Sequence, residues 1–286
     1  MSSTNDSPPT QQLRAIVAAF TFLTRLPVGG LVAHDLSDLS RSATYFPVVG
    51  LVVGALSAAT FAAAQLLWSP LVALVLAIVA TVLITGAFHE DALADSLDGF
   101  GGGWSKQQVL SIMKDSRVGS YALIGVVLVT FAKVATLLSI YENAQNLYSA
   151  KRSGLGASAI WTVARALVVA HVAARWSSVS LIRTHPYVRA EESGVKLAVG
   201  RPFVHATTNS QLIGATGISF AIVIPLLQSQ FVWVCLAAII VTMLAGRYFT
   251  RRIGGITGDA LGATNQCVEL AVYLVLAARP LAVLAS

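Results

Sequence analysis

Long apolar runs recur along this chain, and they constrain its fold more than any other feature. The hydrocarbon core of a bilayer is roughly 30 Å thick, so a helix that crosses it needs about 20 apolar residues. Runs of this kind, bounded by polar residues, glycine or proline, occur seven times. The predicted spans are Tyr45 to Leu67, Leu71 to Phe88 running on to Asp98, Val118 to Tyr141, Leu155 to Ile182, Leu212 to Leu227, Phe231 to Phe249 and Gln266 to Leu284.

Composition excludes several classes of protein. Of the 286 residues, 56% are hydrophobic and only 11% are charged, with a mean hydropathy of +0.73. Soluble domains carry about a quarter charged residues, so a single water-soluble globule is excluded, and so is a disordered chain. Cys235 and Cys267 predict neither a disulfide nor a metal site. The net charge of +6 is scattered along the chain, which argues against nucleic acid as a partner.

The N-terminal region differs from the rest of the chain. Residues 1–12 are polar with two prolines, lack the features of a signal peptide and are predicted to form a disordered tail. Leu13 to Val28 predicts an interfacial or half-inserted helix. With no internal repeat and no low-complexity linker, residues 13–286 are predicted to form one domain, an all-α polytopic membrane helical bundle of about seven transmembrane helices.

The basic residues predict the orientation of this bundle. If the N-terminus is cytoplasmic, 13 of the 19 Lys and Arg residues fall on the cytoplasmic side and three on the other. This bias favours a cytoplasmic N-terminus and, with seven spans, an external C-terminus. The remaining three, Lys133, Arg165 and Arg175, lie within spans. Lys133 has no acid within a turn of its own helix, so its partner must come from another span or its side chain must reach the interface.

Acidic residues gather in three short motifs, all on the predicted cytoplasmic side. The first motif, Gly86 to Gly103, contains Glu90, Asp91, Asp95 and Asp98 and ends in a glycine run. Asp91, Asp95 and Asp98 share one face of the predicted helix, on which they repel one another unless a cation or water compensates them. Glycines at the end are expected to break the helix and let backbone amides approach a ligand. The alternative is a solvated helix end.

The second motif begins at Ile112 and places Lys114, Asp115, Ser116 and Arg117 immediately before a span. Its basic residues could anchor the helix at the membrane interface. Alternatively, they could hold a phosphate while Asp115 completes a metal site.

The third motif begins at Gly254 and brings Asp259, Asn265 and Glu269 to the entry of the last span. Glycine-rich backbone beside a helix N-terminus favours anions. Asp259 could instead cap the helix, whereas a purely structural role is less expected for the deeper Glu269.

Acids, glycines and cations at one membrane face favour Mg²⁺-dependent chemistry on a phosphate or pyrophosphate. An ion-coupled transporter is the alternative, but it predicts acids near the middle of the bilayer. The spacing of the acids also fits other membrane transferases that act on alcohols activated by a nucleoside diphosphate.

Five motifs, in this order and at these spacings, closely resemble the cobalamin synthase family, the adenosylcobinamide-GDP ribazoletransferases. The resemblance covers nearly the whole chain from Phe22 onward, and the chain departs from the usual pattern at Glu90 and Ser96. The motifs are FLTRLPV from Phe22, RSATYFPVVGLVVGAL from Arg41, TGAFHEDALADSLDGFGGG from Thr85, IMKDSRVGSYA from Ile112 and GGITGDALGATNQCVEL from Gly254.

This resemblance implies an Mg²⁺-dependent transferase of the bacterial cytoplasmic membrane, with its active site on the cytoplasmic side. In the implied reaction, α-ribazole or its 5′-phosphate displaces GMP from adenosylcobinamide-GDP, and adenosylcobalamin or its phosphate is formed. His89, or an aspartate that holds no metal, would accept the proton of the ribazole hydroxyl, because a histidine titrates near working pH. The catalytic candidates are His89, Asp95 and Asp98. The metal-ligand candidates are Asp91, Asp95, Asp98, Asp115, Asp259 and Glu269. The substrate-binding candidates are Gly101, Gly102, Lys114, Ser116, Arg117 and Asn265.

Overall fold

A computed structural model of the chain describes residues 7–30, 36–150, 155–188, 207–227 and 230–278. These residues form an all-α fold without strands, and a single isolated β-bridge joins Tyr187 to Ile256. The helices are α1 (Pro8–Leu23), α2 (Leu36–Ser42), α3 (Phe46–Ala64), α4 (Pro70–Thr85), α5 (Phe88–Gly102), α6 (Lys106–Ile112), α7 (Ser120–Ala150), α8 (Leu155–Thr184), α9 (Asn209–Leu227), α10 (Phe231–Ile253) and α11 (Gly258–Ala277).

Hydrogen bonds between helix ends define one end of the bundle, which we call the site end. The Val188 amide, just after α8, donates to the carbonyl of Ile256, just before α11, at 2.8 Å. The Gln211 side chain at the start of α9 donates to the carbonyl of Ser40 in α2 at 3.1 Å. The C-terminal ends of α8 and α10 therefore meet the N-terminal ends of α9 and α11 here.

Two further hydrogen bonds define the opposite end. The Asn143 side chain near the end of α7 donates to the carbonyl of Ala277 at the end of α11, at 3.2 Å. Arg165 donates to the carbonyl of Leu226 at the end of α9, at 3.0 Å. In the described part of the chain, α8, α9 and α11 thus run between the two ends. Length and composition there support five or six of the seven predicted spans.

Most of the long helices could cross a bilayer. Five segments are long and apolar enough by themselves, and α4 with α5 qualifies as a sixth, bent pair. Helix α8 has 30 residues, about 45 Å at 1.5 Å per residue, but it carries Arg165, His171 and Arg175. It packs at the centre of the bundle against α3, α7, α9, α10 and α11. The fold is therefore a polytopic membrane bundle built around one polar helix.

Small residues bring α3 onto α8. A side chain at Gly50 would collide with the carbonyl of His171, and a Cβ at Gly54 would lie 2.6 Å from the Cα of Val168. Glycines at this four-residue spacing let two helix backbones approach closely, as is common in membrane bundles.

The second predicted span is not one straight helix, which corrects the expectation that the acidic motif continues an apolar helix. Helices α4 and α5 meet at 90° across Gly86 and Ala87. Gly86 (φ 67°) and Ala87 (φ 58°) both adopt left-handed backbone, and the Ala87 amide closes α4 on the carbonyl of Val82 at 2.8 Å. An alanine in this conformation costs roughly 1–2 kcal/mol, which the surrounding packing must offset.

Several other boundaries differ from the sequence prediction; helix α7, for example, ends at Ala150 rather than at Tyr141. Helix α1 begins at Pro8, inside the predicted tail, because proline is favoured in the first turn of a helix; residues 1–6 lie outside the described residues. Helix α11 begins at Gly258, eight residues before the predicted start, because Thr257 accepts a capping hydrogen bond from the Ala260 amide at 3.1 Å. Helix α5 continues through its glycines to Gly102 because they pack against neighbouring side chains.

Candidate active site

A cavity of about 580 Å³ opens at the site end, between α1, α5, α8 and α11. Four of its lining residues carry charge, Arg25 and Lys114 as bases and Asp91 and Asp259 as acids, and His89 lies beside them. The rest of the wall includes aromatic and aliphatic side chains. The apolar lining residues are Phe22, Leu23, Phe46, Phe88, Ala92, Leu110, Met113, Ile182, Val188 and Leu261.

Close packing of α5 on α11 brings acids from two distant parts of the chain together. A side chain at Gly262 would collide with the Cβ of Ala92, so glycine is required where these helices touch. As a result, Asp95 on α5 lies in the repulsive field of Asp259, Asp91 and Asp98. Sequence reasoning predicted this convergence of the first and third motifs.

The N-terminal ends of α5 and α11 also face the cavity. Phe88 opens α5, Gly258 opens α11, and both residues line the wall. The positive ends of two helix dipoles therefore point toward the same space, which favours an anion there.

Lys114 reaches the cavity because of a capping box at the start of α6. The Ser105 side chain accepts from the Gln108 amide at 3.3 Å, and the Gln108 side chain accepts from the Ser105 amide at 3.2 Å. This arrangement starts α6 at Lys106 and ends it at Ile112, which places Met113 and Lys114 against the cavity.

Asp98 points away from the cavity toward the start of α7. Its two carboxylate oxygens accept from the Gly119 amide at 2.6 Å and from the Ala122 amide at 2.9 Å. A carboxylate in this position satisfies amides that the first turn of a helix leaves without partners. The structure thus gives Asp98 a capping position, which differs from the catalytic and metal-binding roles predicted for it.

Asp115 and Arg117 pair with each other at the surface. Both oxygens of Asp115 accept from the Arg117 guanidinium, and one also accepts from the Arg117 amide at 3.0 Å. These hydrogen bonds lower the pKa of Asp115 to about 2. Neither residue lines the cavity, nor does the exposed Ser116 between them, so only Lys114 of the second motif reaches it.

Glu269 lies deep in the bundle, in a buried ion cluster formed with three basic residues. One oxygen accepts from Lys133 at 2.6 Å, and the other from Arg175 at 2.6 Å, with the Nδ1 atom of His171 at 2.8 Å. The side chain is 2% exposed. Its oxygens are not available to a metal ion at the cavity in this arrangement. The partner expected for Lys133 comes from another span.

A further hydrogen bond ties this cluster to α5. Lys133 donates to the side-chain oxygen of Gln266, and the Gln266 amide donates to Glu90 at 3.0 Å. Glu90 is one of the two departures from the usual motif, and the structure gives it a partner on α11.

In the described part of the chain, no three His, Cys, Asp or Glu side chains are grouped closely enough to hold a metal ion by themselves. Asp91 and Asp259 nevertheless share the cavity wall, and neither forms an ion pair among the described residues. Mg²⁺ usually takes one or two carboxylates and completes its shell with water and substrate phosphates. The donor set therefore fits an Mg²⁺ ion that is held jointly with a phosphate ligand.

Asn265 is the remaining predicted residue that lines the cavity. Its amide donates to Ser178 and to the carbonyl of Leu261, and its side-chain oxygen is buried without a partner. Gly101 and Gly102 do not line the cavity.

Sequence reasoning overlooked Arg25, Tyr187 and Thr257, which line the cavity. Arg25 could have been found, because it sits inside the FLTRLPV motif that carries the family resemblance. Tyr187 follows α8 with no comparable signal.

Comparisons with known proteins identify the family of the chain. A family model described as cobalamin-5-phosphate synthase matches residues 15–277. Relatives named adenosylcobinamide-GDP ribazoletransferase include those of Shewanella pealeana, 36% identical over 93% of this chain and 95% of the relative, and Shewanella amazonensis, 38% identical with the same coverage. A third, from Ralstonia nicotianae, is 38% identical with the same coverage. No solved structure matches the chain.

Proposed function

The chain belongs to the cobalamin-5-phosphate synthase family, and we propose that it joins the two halves of a cobalamin at the cavity of the site end. The donor is adenosylcobinamide-GDP, the acceptor is α-ribazole or its 5′-phosphate, and GMP is released. One observation carries this proposal. The cavity places acids and bases around a space that the positive ends of two helices face, as a pyrophosphate with a divalent cation requires.

The reaction is a substitution at phosphorus. A hydroxyl oxygen of the ribazole forms a bond to the phosphorus that carries the cobinamide. The bond from that phosphorus to the bridging oxygen breaks, and GMP leaves with the electron pair. The hydroxyl proton passes to a base on the protein. Lys114, at the cavity wall, would hold phosphate oxygens during this exchange.

We propose Mg²⁺ as the cofactor, with Asp91 and Asp259 at the cavity wall as its ligands and Asp95 as a third acid in their field. The support is that these carboxylates converge from two helices and that none forms an ion pair among the described residues. When bound, Mg²⁺ would neutralise charge on the pyrophosphate and on the departing GMP. Asp98 and Glu269 are left out of this set, because amides and basic side chains occupy their oxygens.

His89 is the proposed general base. It lines the cavity, two residues before Asp91, and its imidazole makes no hydrogen bond among the described residues. General-base catalysis contributes roughly a hundredfold to ten-thousandfold, so His89→Ala should lower kcat by at least about a hundredfold. An unchanged pH–rate profile in this variant would transfer the role to an aspartate.

The decisive experiment uses membranes that contain the protein, with adenosylcobinamide-GDP, α-ribazole and Mg²⁺. We expect GMP and a complete corrinoid in equal amounts, and no GMP when the acceptor is omitted. Parallel assays with α-ribazole 5′-phosphate identify the preferred acceptor through kcat/KM. Absence of both products with either acceptor would refute the proposed function.

We also propose that the site end faces the cytoplasm of a bacterial inner membrane. The support is its concentration of basic side chains in the described residues, Arg25, Lys114, Arg117, Arg183 and Arg251 among them. A cysteine introduced by Trp104→Cys, at a side chain 91% exposed, tests this in a variant lacking Cys235 and Cys267. A membrane-impermeant maleimide should label it in inverted vesicles; labelling in intact spheroplasts would reverse the orientation.

A further inference from the structure

Arg25 faces the active-site cavity but forms no ion pair with the acids of its wall. It lies just beyond the end of α1, lines the cavity with Lys114, Asp91 and Asp259, and is exposed. Among the described residues its guanidinium makes no side-chain hydrogen bond and no ion pair. We propose that Arg25 is a substrate-binding residue that holds the pyrophosphate of adenosylcobinamide-GDP, an inference that rests on the proposed function.

The backbone around Arg25 is held in place from two sides. Thr24 closes α1, because its hydroxyl donates to the carbonyl of Phe20 at 2.7 Å and also accepts from the Leu26 amide at 3.3 Å. The Arg25 amide donates to the carbonyl of Ile84 in the last turn of α4 at 2.7 Å. The start of the Arg25 side chain is therefore fixed relative to the bend between α4 and α5.

Gly86 provides the space that the Arg25 side chain occupies. A side chain at Gly86 would collide with the Nε atom of Arg25 and would lie 2.7 Å from its Cγ atom. Because Gly86 also has a left-handed φ of 67°, the same residue allows both the helix bend and the passage of Arg25 toward the cavity. Arg25 is thus built into the junction that opens α5.

The charges around the cavity indicate what Arg25 binds. A cation held by Asp91 and Asp259 would neutralise the acids without using the guanidinium. The guanidinium is planar and has several donors in a fixed arrangement, so it binds two phosphate oxygens through parallel hydrogen bonds, a geometry that an ammonium group does not offer. An anion with several oxygens, placed between Arg25 and the amino ends of α5 and α11, uses all of these groups.

Two variants test this role, Arg25→Ala and Arg25→Lys, in purified protein. Direct binding of adenosylcobinamide-GDP and of inorganic pyrophosphate is measured by calorimetry with Mg²⁺ present. We expect Kd for both ligands to rise roughly tenfold to a hundredfold in Arg25→Ala, because a hydrogen bond to a charged group is lost. Arg25→Lys should recover part of this loss. The KM for α-ribazole should stay as in the wild type.

Arg251→Ala is the matched control, because Arg251 is an exposed arginine at the same end that does not line the cavity. It should leave both Kd values unchanged. Gly86→Ala should weaken pyrophosphate binding in the same direction as Arg25→Ala, since its side chain displaces Arg25.

The outcomes separate this inference from the proposed function. If the wild-type protein turns over substrate and both Arg25 variants keep the wild-type Kd values, the proposed role of Arg25 is wrong and the proposed function stands. If the wild-type protein shows no turnover but binds pyrophosphate in a way that depends on Arg25, the proposed function is wrong and Arg25 still forms part of an anion site.

Discussion

Acidic residues that look alike in the sequence of this molecule have opposite surroundings in the fold. Asp91 and Asp259 line the cavity, and Asp95 lies within their repulsive field; none of the three forms an ion pair among the described residues. Glu269 lies further along the same helix as Asp259, yet both its oxygens are bound by Lys133 and Arg175. Acids that face only one another need a cation from outside the chain, whereas an acid with internal partners does not.

The difference follows from the cost of burying a charge. A carboxylate in the interior of a membrane bundle is tolerated only when basic groups and hydrogen bonds compensate it. The acids at the cavity lie at the end of the bundle, where water and a ligand can reach them. We therefore expect Glu269 to contribute to stability and Asp259 to activity.

Glu269→Gln should produce the largest effect, on stability. It leaves Lys133 and Arg175 buried beside a neutral side chain, and removing one partner of a buried pair costs about 3–5 kcal/mol. Thermal unfolding in detergent should show a strongly lowered midpoint. Glu142→Gln, at an exposed position on α7, is the control and should unfold as the wild type does. Adding Lys133→Met to this variant should restore part of the lost stability. An unchanged midpoint in Glu269→Gln would contradict the distinction between the buried Glu269 and the acids at the cavity.

Asp259→Asn should show the reverse pattern. A metal ligand supplies several kcal/mol of transition-state stabilisation, so GMP release should fall roughly a thousandfold, about 4 kcal/mol. The unfolding midpoint should stay the same or rise, because repulsion from Asp91 and Asp95 is relieved. Near-normal turnover at saturating Mg²⁺ would exclude Asp259 from the metal site.

Asp98→Ala tests an acid that lies neither at the cavity wall nor in the buried ion cluster of Glu269. Loss of a capping side chain costs about 1 kcal/mol, so the midpoint should fall modestly. Asp98→Asn keeps an acceptor for the Gly119 and Ala122 amides and should lose less stability. If both variants instead lose turnover as strongly as Asp259→Asn and unfold like the wild type, Asp98 is a metal ligand.

Asp115→Asn should have the smallest effect on activity. The lowered pKa of Asp115 also leads to an expectation about how stability depends on pH. The pKa of Asp115 falls from 3.8 to about 2 on folding, so its stabilising contribution is complete above about pH 4 and is lost as the pH falls toward 2. Asp115 therefore stays ionised throughout the working range. The pH–rate profile of the variant between pH 5 and 9 should match the wild type; a shifted acidic limb would bring Asp115 into the site.

Much of the fold could be predicted because lipid imposes a simple pattern on each segment. The five or six segments that could span a membrane follow from apolar runs, and the shared face of Asp91 and Asp95 follows from helical periodicity. The 90° bend at Gly86 and Ala87 could not be read in this way, because an alanine in left-handed backbone contradicts local preference and depends on packing with other helices.

The candidate site was predictable to the level of motifs but not of individual roles. Sequence reasoning placed Asp91, Asp259 and Lys114 at one membrane face, and the structure gathers them at one cavity. It grouped Glu269 with them, because distance along a helix does not reveal which neighbour a side chain faces. It overlooked Arg25, whose route to the cavity depends on the absence of a side chain at Gly86, in another helical segment.

By itself, the sequence determined that this chain is a membrane bundle, which family it belongs to and at which end its polar chemistry lies. Those properties depend on composition and on patterns within single segments. The tertiary structure decided which acids stay available to a ligand and which are neutralised. Lys133 and Glu269 are 136 residues apart, and their pairing depends on how α7 and α11 are rotated and packed against each other. Interactions among many helices set that rotation, so no single segment encodes it.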